Sequence, residues 1–168
     1  MAAIQDRFKQ IRTFIFDVDG VLTDGSVNLL ATGERFRTVF IRDTYAIERA
    51  LKAGFRVGIL SSSNADGVRS WLTAMNVTAI FMGGPSDQKV NAYLGYIARD
   101  GLNEAEILYM GDDIPDYAIL NRPVVFSTCP ADAVAEIQAI CKYISPVDGG
   151  RGAVRDVIEQ VMKAQGKW

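Results

Sequence analysis

The sequence of 168 residues contains no histidine. This absence excludes a Ser-His-Asp triad, a Cys-His pair, a two-histidine zinc site and a histidine phosphocarrier within one chain. Only two cysteines are present, Cys129 and Cys141, and they do not form a CxxC pattern. We therefore expect reduced thiols that pack as small apolar side chains, and any catalysis has to use other groups.

Long apolar runs are also missing. No stretch reaches the roughly eighteen apolar residues that a membrane span needs, and the start, MAAIQDRFKQ, carries charges where a signal peptide has its apolar run. Eighteen Lys plus Arg against twenty Asp plus Glu give a net charge of -2, with 49% hydrophobic residues. This balance argues against a nucleic-acid partner and against disorder. Without a signal peptide or a membrane span, we expect a cytoplasmic protein with no membrane partner. Because no Pro-, Gly- or Ser-rich linker occurs, we expect one domain over residues 1–168.

Short apolar runs alternate with segments of helical periodicity. Four runs predict buried strands, at 13–16, 56–60, 79–82 and 107–110, and two more follow at 123–126 and 143–144. Helices between such strands predict right-handed crossovers and a doubly wound parallel sheet, an α/β fold of three layers. One segment breaks the alternation, because 26–30 and 35–41 both have strand patterns and predict an inserted β-hairpin over 26–41.

The C-terminal segment, 149–168, begins with Gly149-Gly150-Arg151-Gly152 and continues as a predicted helix at 153–164. The adjacent glycines have two interpretations. They form either a flexible approach to the helix or a loop whose backbone comes close to another group.

Polar side chains follow the predicted strands, where an open parallel sheet binds its ligands. In chain order they are Asp17 and Asp19, Ser61, Lys89, then Asp112, Asp113 and Asp116. Two carboxylates on neighbouring strand ends repel each other unless a cation lies between them, and an all-oxygen set favours Mg²⁺.

These residue types suit phosphoryl transfer. Asp17 is a candidate nucleophile, and Asp19 is placed to protonate a leaving oxygen and then deprotonate a water. Lys89 and Ser61 offer a positive charge and a hydroxyl to phosphate oxygens. We give Asp113 and Asp116 supporting roles.

The segment Phe14-Ile15-Phe16-Asp17-Val18-Asp19-Gly20-Val21-Leu22-Thr23-Asp24-Gly25 resembles the first motif of the haloacid dehalogenase superfamily, in the form found in small phosphatases without a cap domain. Three further segments are similar to 3-deoxy-D-manno-octulosonate 8-phosphate phosphatases. They are Gly33-Glu34 leading to Phe40-x-x-Asp43, Gly111-Asp112-Asp113-x-x-Asp116, and the ending Gly149-Gly150-Arg151-Gly152-Ala153-Val154-Arg155-Asp156.

The resemblance implies a Rossmann-like haloacid dehalogenase fold and an Mg²⁺-dependent homotetramer of the lipopolysaccharide precursor pathway. It implies Asp17 as nucleophile, Asp19 as acid and base, and Asp17, the Asp19 main-chain carbonyl and Asp112 as metal ligands. It also implies that Ser61 and Lys89 bind the phosphate, that the hairpin builds the subunit interface, and that a neighbouring chain and the glycine-rich tail cover the site. We add four candidate substrate contacts, which are Ser62, Asp43, Arg69 and Arg151.

The chain departs from the family pattern at two places. It has Ser61-Ser62-Ser63 where the family usually has Thr-Gly-Arg, and Asp43-Thr44 where the family usually has Asp-Gly. A related keto-sugar acid phosphate, such as a nonulosonate 9-phosphate, is therefore an open alternative substrate. Two non-enzymatic alternatives are a phospho-accepting signalling module and a non-catalytic binding relative.

Overall fold

Six parallel strands form the central sheet of the computed structural model, which describes residues 2–168 and, in the first helix, side chains from residue 4 onward. The sheet strands are β1 Thr13–Phe16, β4 Arg56–Ser61, β5 Ala79–Met82, β6 Ile107–Met110, β7 Phe126–Cys129 and β8 Tyr143–Ile144. Their order across the sheet is β5-β4-β1-β6-β7-β8. Because β1 is central, its carboxyl end lies between those of β4 and β6.

Helices cover both faces of the sheet. They are α1 Ala2–Gln10, α2 Ile41–Lys52, α3 Asp66–Ala74, α4 Lys89–Asp100, α5 Tyr117–Leu120, α6 Ala135–Gln138 and α7 Ala153–Ala164. Phe14 and Phe16 of β1 pack with α1, α2, α3 and α7, whereas Ile15 packs with α4, α5 and α6. A strand buried on both faces is mostly apolar, which explains the nearly continuous apolar runs. The parallel sheet with helices on both faces confirms the predicted α/β class.

Three sequence predictions need correction. The fifth strand begins at Phe126 rather than at Pro123, since Phe126 pairs with Leu108 of β6. The hairpin has only two short exposed strands, β2 Asn28–Leu29 and β3 Arg35–Phe36, and residue 41 opens α2 instead of ending a strand. The helix α1 was not predicted.

The glycine-rich tail packs beneath the loop that follows β1 in the same chain. The Gly150 amide donates to the Val21 carbonyl at 2.9 Å, and the Gly149 amide donates to Asp132. A Cβ at Gly149 would overlap the Gly20 carbonyl, and one at Gly150 would overlap Thr23 and Asp24. The adjacent glycines therefore serve a close backbone approach, the second of the two interpretations.

The last helix belongs to the hydrophobic core. Six of its side chains are buried, namely those of Ala153, Val154, Val157, Ile158, Val161 and Met162. Within residues 2–168, no helix is long and apolar enough to cross a membrane.

Candidate active site

A crevice of about 430 Å³ opens at the carboxyl end of the sheet, where the ends of β1, β4 and β6 meet. Its lining includes eight of the side chains singled out in the sequence, namely Asp17, Asp19, Ser61, Ser62, Lys89, Asp112, Asp113 and Asp116. The volume is within the range of small-molecule sites. The fold thus brings together residues that are up to about a hundred positions apart in the chain.

Lys89 lies between two buried carboxylates at the base of this crevice. Its Nζ is 2.8 Å from Oδ2 of Asp17 and 2.7 Å from Oδ1 of Asp116. Asp116 also accepts a hydrogen bond of 2.5 Å from the Tyr109 hydroxyl. The lysine is held in one position by two charge-assisted hydrogen bonds, so its ammonium is preorganised for a further anion.

The site carries more negative than positive charge. Burial and the charge of Asp116 raise the pKa of Asp17 well above its usual range, although Lys89 acts in the opposite direction. Burial followed by repulsion from Asp116 raises the pKa of Asp112 to about 7. Burial alone would lower the pKa of Lys89, but Asp116 and Asp17 outweigh it and the pKa of the lysine is raised. Both aspartates therefore need a further cation nearby to be fully ionised at neutral pH.

The donor set fits a divalent cation with a preference for oxygen. Oxygen atoms of Asp17, Asp112 and Asp116 all lie within 4.8 Å of one another. The Oδ2 atom of Asp116 is buried and has no hydrogen-bond partner within residues 2–168. Carboxylates with no nitrogen or sulfur donor are the ligands of Mg²⁺ rather than of zinc, so these residues suit Mg²⁺.

Two glycines make room for this carboxylate cluster. Gly20 has a φ of +82°, and a Cβ there would overlap the Asp112 carboxylate. A Cβ at Gly111 would overlap the Asp116 carboxylate. The glycines of the two acidic motifs thus allow side chains from β1 and β6 to share one space.

The last residue of β4 and the loop after it present three serines to the crevice. The Ser61 hydroxyl lies 3.1 Å from that of Ser63 and accepts from the Ser63 amide at 3.2 Å. The Ser62 hydroxyl is buried and has no partner in the part of the chain that the structure describes. A free hydroxyl in the crevice that Lys89 also lines is suited to donate a hydrogen bond to a phosphate oxygen.

Three candidate substrate contacts do not reach this crevice. Arg69 donates to the Met82 carbonyl at 3.4 Å, and Arg151 lies 3.3 Å from Asp24 on the outside of the tail. Asp43 belongs to α2 and is fully buried against the start of α7. Its Oδ1 accepts a hydrogen bond from the Arg155 amide of α7 at 2.7 Å. Because a buried carboxylate that caps a helix has no path to a ligand, the assignment of Asp43 to the substrate does not fit this structure.

We expect Asp43 to make the stability of the fold depend on pH. Burial raises its pKa to about 6, although the amides of Arg155 and Gly152 and the charge of Arg155 oppose the shift. The folded state binds the Asp43 proton more tightly than the unfolded state does. The free energy of unfolding is therefore highest below about pH 4, where Asp43 is protonated in both states, and it falls as the pH rises through about 6. The expected loss is up to about 3 kcal/mol.

Urea unfolding of wild type and Asp43→Asn in metal-free buffer, from about pH 4 to pH 7, measures this effect. The asparagine keeps an oxygen for the Arg155 amide but does not titrate. The wild-type free energy of unfolding should fall more steeply over this interval than that of the variant. Parallel curves would show that Asp43 does not titrate in this interval.

Sequence reasoning missed two residues of the site. Tyr109 holds Asp116 from within β6, and Arg37 contacts Asp19 from the segment after β3. Neither stands in a motif. Tyr109 stands in a run of strand residues and fits their apolar pattern. Arg37 stands near a predicted hairpin, where the sequence cannot distinguish it from an arginine on the solvated surface.

Comparisons with known proteins agree with this geometry, although no protein-family model matches the chain. A 3-deoxy-D-manno-octulosonate 8-phosphate phosphatase of Escherichia coli strain B is 31% identical over 166 residues, which cover 99% of this chain and 87% of that protein. The crystal structure of such a phosphatase from Moraxella catarrhalis, in complex with magnesium ion, phosphate ion and KDO molecule, has a TM-score of 0.93 at 27% identity and covers 99% of this chain and 94% of that one.

A third similar protein is the cobalt-bound form of the deoxy-D-mannose-octulosonate 8-phosphate phosphatase from Haemophilus influenzae. Its TM-score is 0.88 at 27% identity, and the match covers 96% of this chain and 92% of that chain. One of these solved structures holds magnesium and the other holds cobalt, each on a fold that matches this one over nearly its full length.

Proposed function

The chain belongs to the family of 3-deoxy-D-manno-octulosonate 8-phosphate phosphatases within the haloacid dehalogenase superfamily, and from this premise we propose that it hydrolyses 3-deoxy-D-manno-octulosonate 8-phosphate to the sugar acid and phosphate, for lipopolysaccharide precursor synthesis. It is a phosphoric monoester hydrolase, not a signalling module or a silent relative. The observation that carries the proposal is the convergence of Asp17, Asp19, Lys89 and Asp112 on one crevice. We take residues 1–168 as one catalytic domain.

The first half of the reaction transfers the phosphoryl group to the protein. Lys89, Ser61 and Ser62 bind the phosphate oxygens, and a carboxylate oxygen of Asp17 attacks phosphorus while the bond to the sugar oxygen breaks. Asp19 gives its proton to that oxygen and becomes a carboxylate. Asp17, Asp112 and the Asp19 main-chain carbonyl would hold Mg²⁺, which would supply positive charge that keeps Asp17 ionised and offsets the charge of the phosphate.

The second half restores the protein. Asp19, now a carboxylate, removes a proton from a water that attacks phosphorus of the aspartyl phosphate. The bond between phosphorus and the Asp17 oxygen breaks, inorganic phosphate leaves, and Asp19 is protonated again. Asp116 and Asp113 support the site, Asp116 by fixing Lys89 and Asp113 by accepting from the Ile114 amide at 2.7 Å.

The substrate is the part of this proposal with a specific alternative. The loop Ser61-Ser62-Ser63 has no arginine for the carboxylate of the sugar acid, and that loss removes a charge-assisted hydrogen bond of about 1.5–3 kcal/mol. A phosphorylated keto-sugar acid of different length, such as a nonulosonate 9-phosphate, is therefore the second candidate substrate.

Exposed apolar side chains on the hairpin and at the start of α2 support an assembly of several copies. Five such residues are concentrated between positions 27 and 41, namely Val27, Leu29, Leu30, Phe36 and Ile41, with Leu29 72% exposed. A patch of this kind is typical of an interface. We propose a homotetramer in which the hairpin forms contacts and a neighbouring subunit completes the site, where Arg69 and Arg151 then remain candidate substrate contacts. Light scattering after size-exclusion chromatography measures the number of copies.

The test of function is phosphate release by the purified protein from a panel of phosphorylated keto-sugar acids. We expect turnover with Mg²⁺, no turnover in excess chelator, and a higher kcat/KM for the octulosonate phosphate than for the nonulosonate phosphate. The reverse order would assign the alternative substrate, and no release from any keto-sugar acid phosphate would reject the proposal.

Two free cysteines, Cys129 and Cys141, suit the reducing cytoplasm that we propose as the location of the protein. Cell fractionation would test this location.

A further inference from the structure

Arg37, which follows β3 in the hairpin, forms an ion pair with Asp19, the proposed acid and base. Arg37 Nε lies 2.5 Å from Oδ1 of Asp19, and a terminal guanidinium nitrogen, Nη2, lies 3.0 Å from Oδ2. Both oxygens of the carboxylate are therefore held by one planar fork. Such a bidentate contact fixes orientation as well as distance, which a lysine ammonium does not do.

The burial of Arg37 sets it apart from its neighbours. Residues 31–36 are exposed, yet the Arg37 side chain is only 8% exposed and that of Asp19 is 32% exposed. In the part of the chain that the structure describes, Arg37 is the only basic side chain paired with Asp19. The hairpin thus brings one cation to Asp19, which lines the crevice and lies in the loop that follows β1.

We propose that Arg37 is the positioning residue for Asp19 in the reaction, an inference that depends on the proposed function. In the first half-reaction Asp19 gives its proton to the sugar oxygen, which requires its carboxyl group to point at that oxygen. The bidentate contact with Arg37 fixes this orientation toward the position of the leaving oxygen.

This role predicts a loss that depends on the leaving group. A sugar oxygen needs a proton as it departs, whereas the nitrophenolate of p-nitrophenyl phosphate departs readily without one. Removal of Arg37 should therefore reduce kcat/KM strongly for a sugar phosphate and weakly for p-nitrophenyl phosphate. The parameter kcat/KM is the appropriate one, because it reports the steps up to formation of the aspartyl phosphate and leaves out its hydrolysis.

The experiment compares wild type, Arg37→Met, Arg37→Lys and Arg35→Met with three probes. The probes are the octulosonate phosphate, glucose 6-phosphate as a sugar phosphate without a carboxylate, and p-nitrophenyl phosphate. For Arg37→Met we expect about a 100-fold loss with both sugar phosphates and less than about a fivefold loss with p-nitrophenyl phosphate. Arg37→Lys should recover part of the loss, and Arg35→Met, which removes an exposed charge on the same hairpin, should resemble wild type.

Three outcomes would overturn the inference. Equal losses with all three probes would place the defect in the fold or in the attack by Asp17. A loss confined to the octulosonate phosphate would make Arg37 a ligand of the sugar carboxylate. Wild-type rates for Arg37→Met would make the contact irrelevant. The proposed function fails separately, through a wild-type protein that releases phosphate from none of the probes.

Discussion

Replacement of Asp17 by asparagine is expected to abolish phosphate release, with a loss on the order of 10⁴-fold or more. The amide cannot form the aspartyl phosphate, because it lacks the anionic oxygen that attacks phosphorus. Oδ2 of Asp17 also lies 2.8 Å from Nζ of Lys89, so the substitution removes one of the two carboxylates that this lysine neutralises. Steady-state phosphate release measures the rate, and mass spectrometry of the acid-quenched protein detects the phosphorylated wild type.

The inactive variant should still be folded. Burial raises the pKa of Asp17, and repulsion from Asp116 raises it further, so a neutral amide removes an unfavourable charge. Lys89 keeps its bond of 2.7 Å to Asp116. We therefore expect Asp17→Asn to unfold in metal-free buffer at a temperature no lower than wild type. Detectable covalent phosphate or substantial turnover in a folded variant would show that another group is the nucleophile.

Replacement of Lys89 by methionine should damage both activity and stability. The lysine is the cation that lies between two buried carboxylates, and its side chain is only 3% exposed. Without it Asp17 and Asp116 face each other unneutralised, and removal of one partner from a buried ion pair costs about 3–5 kcal/mol. Loss of the charge on the phosphate adds a decrease in kcat of about 10²–10³-fold.

Two comparisons separate these effects. Lys163 bonds Glu159 at 2.7 Å on the surface and is 59% exposed, so Lys163→Met should cost less than about 1 kcal/mol. Lys89→Arg keeps the charge and should recover most of the stability. Urea unfolding of all three variants in metal-free buffer gives the free energies. A value for Lys89→Met similar to that for Lys163→Met would mean that the buried carboxylates do not depend on the lysine.

Much of the architecture could be predicted from local patterns. Strand β1 is buried at each of its four positions and apolar at three, Phe14, Ile15 and Phe16, because both faces of the sheet are covered, and such a run is visible in any short window. The strand boundaries that were wrong lie where partners decide the outcome. Residue 126 opens β7 because Leu108 lies opposite it, and residue 41 begins a helix although its own pattern suits a strand.

The sequence by itself determined the chemical inventory of the site. Because the chain has no histidine, carboxylates are the candidates for acid-base catalysis. Asp17, Asp19 and Asp112 follow apolar runs that the sequence predicts as strands. That strand ends share one edge of a parallel sheet is a general rule, so their convergence was predictable as well.

Only the tertiary structure decided which charges meet and which are separated. Asp43 and Asp19 have equal standing as acidic residues in motifs, yet one caps α7 in the core and the other pairs with Arg37 at the crevice. Those outcomes depend on how α2 packs against α7 and where the hairpin returns to the sheet. A contact between residues 18 positions apart, such as Arg37 with Asp19, has no periodicity that a sequence pattern can carry, because it is fixed by the path of the chain through space.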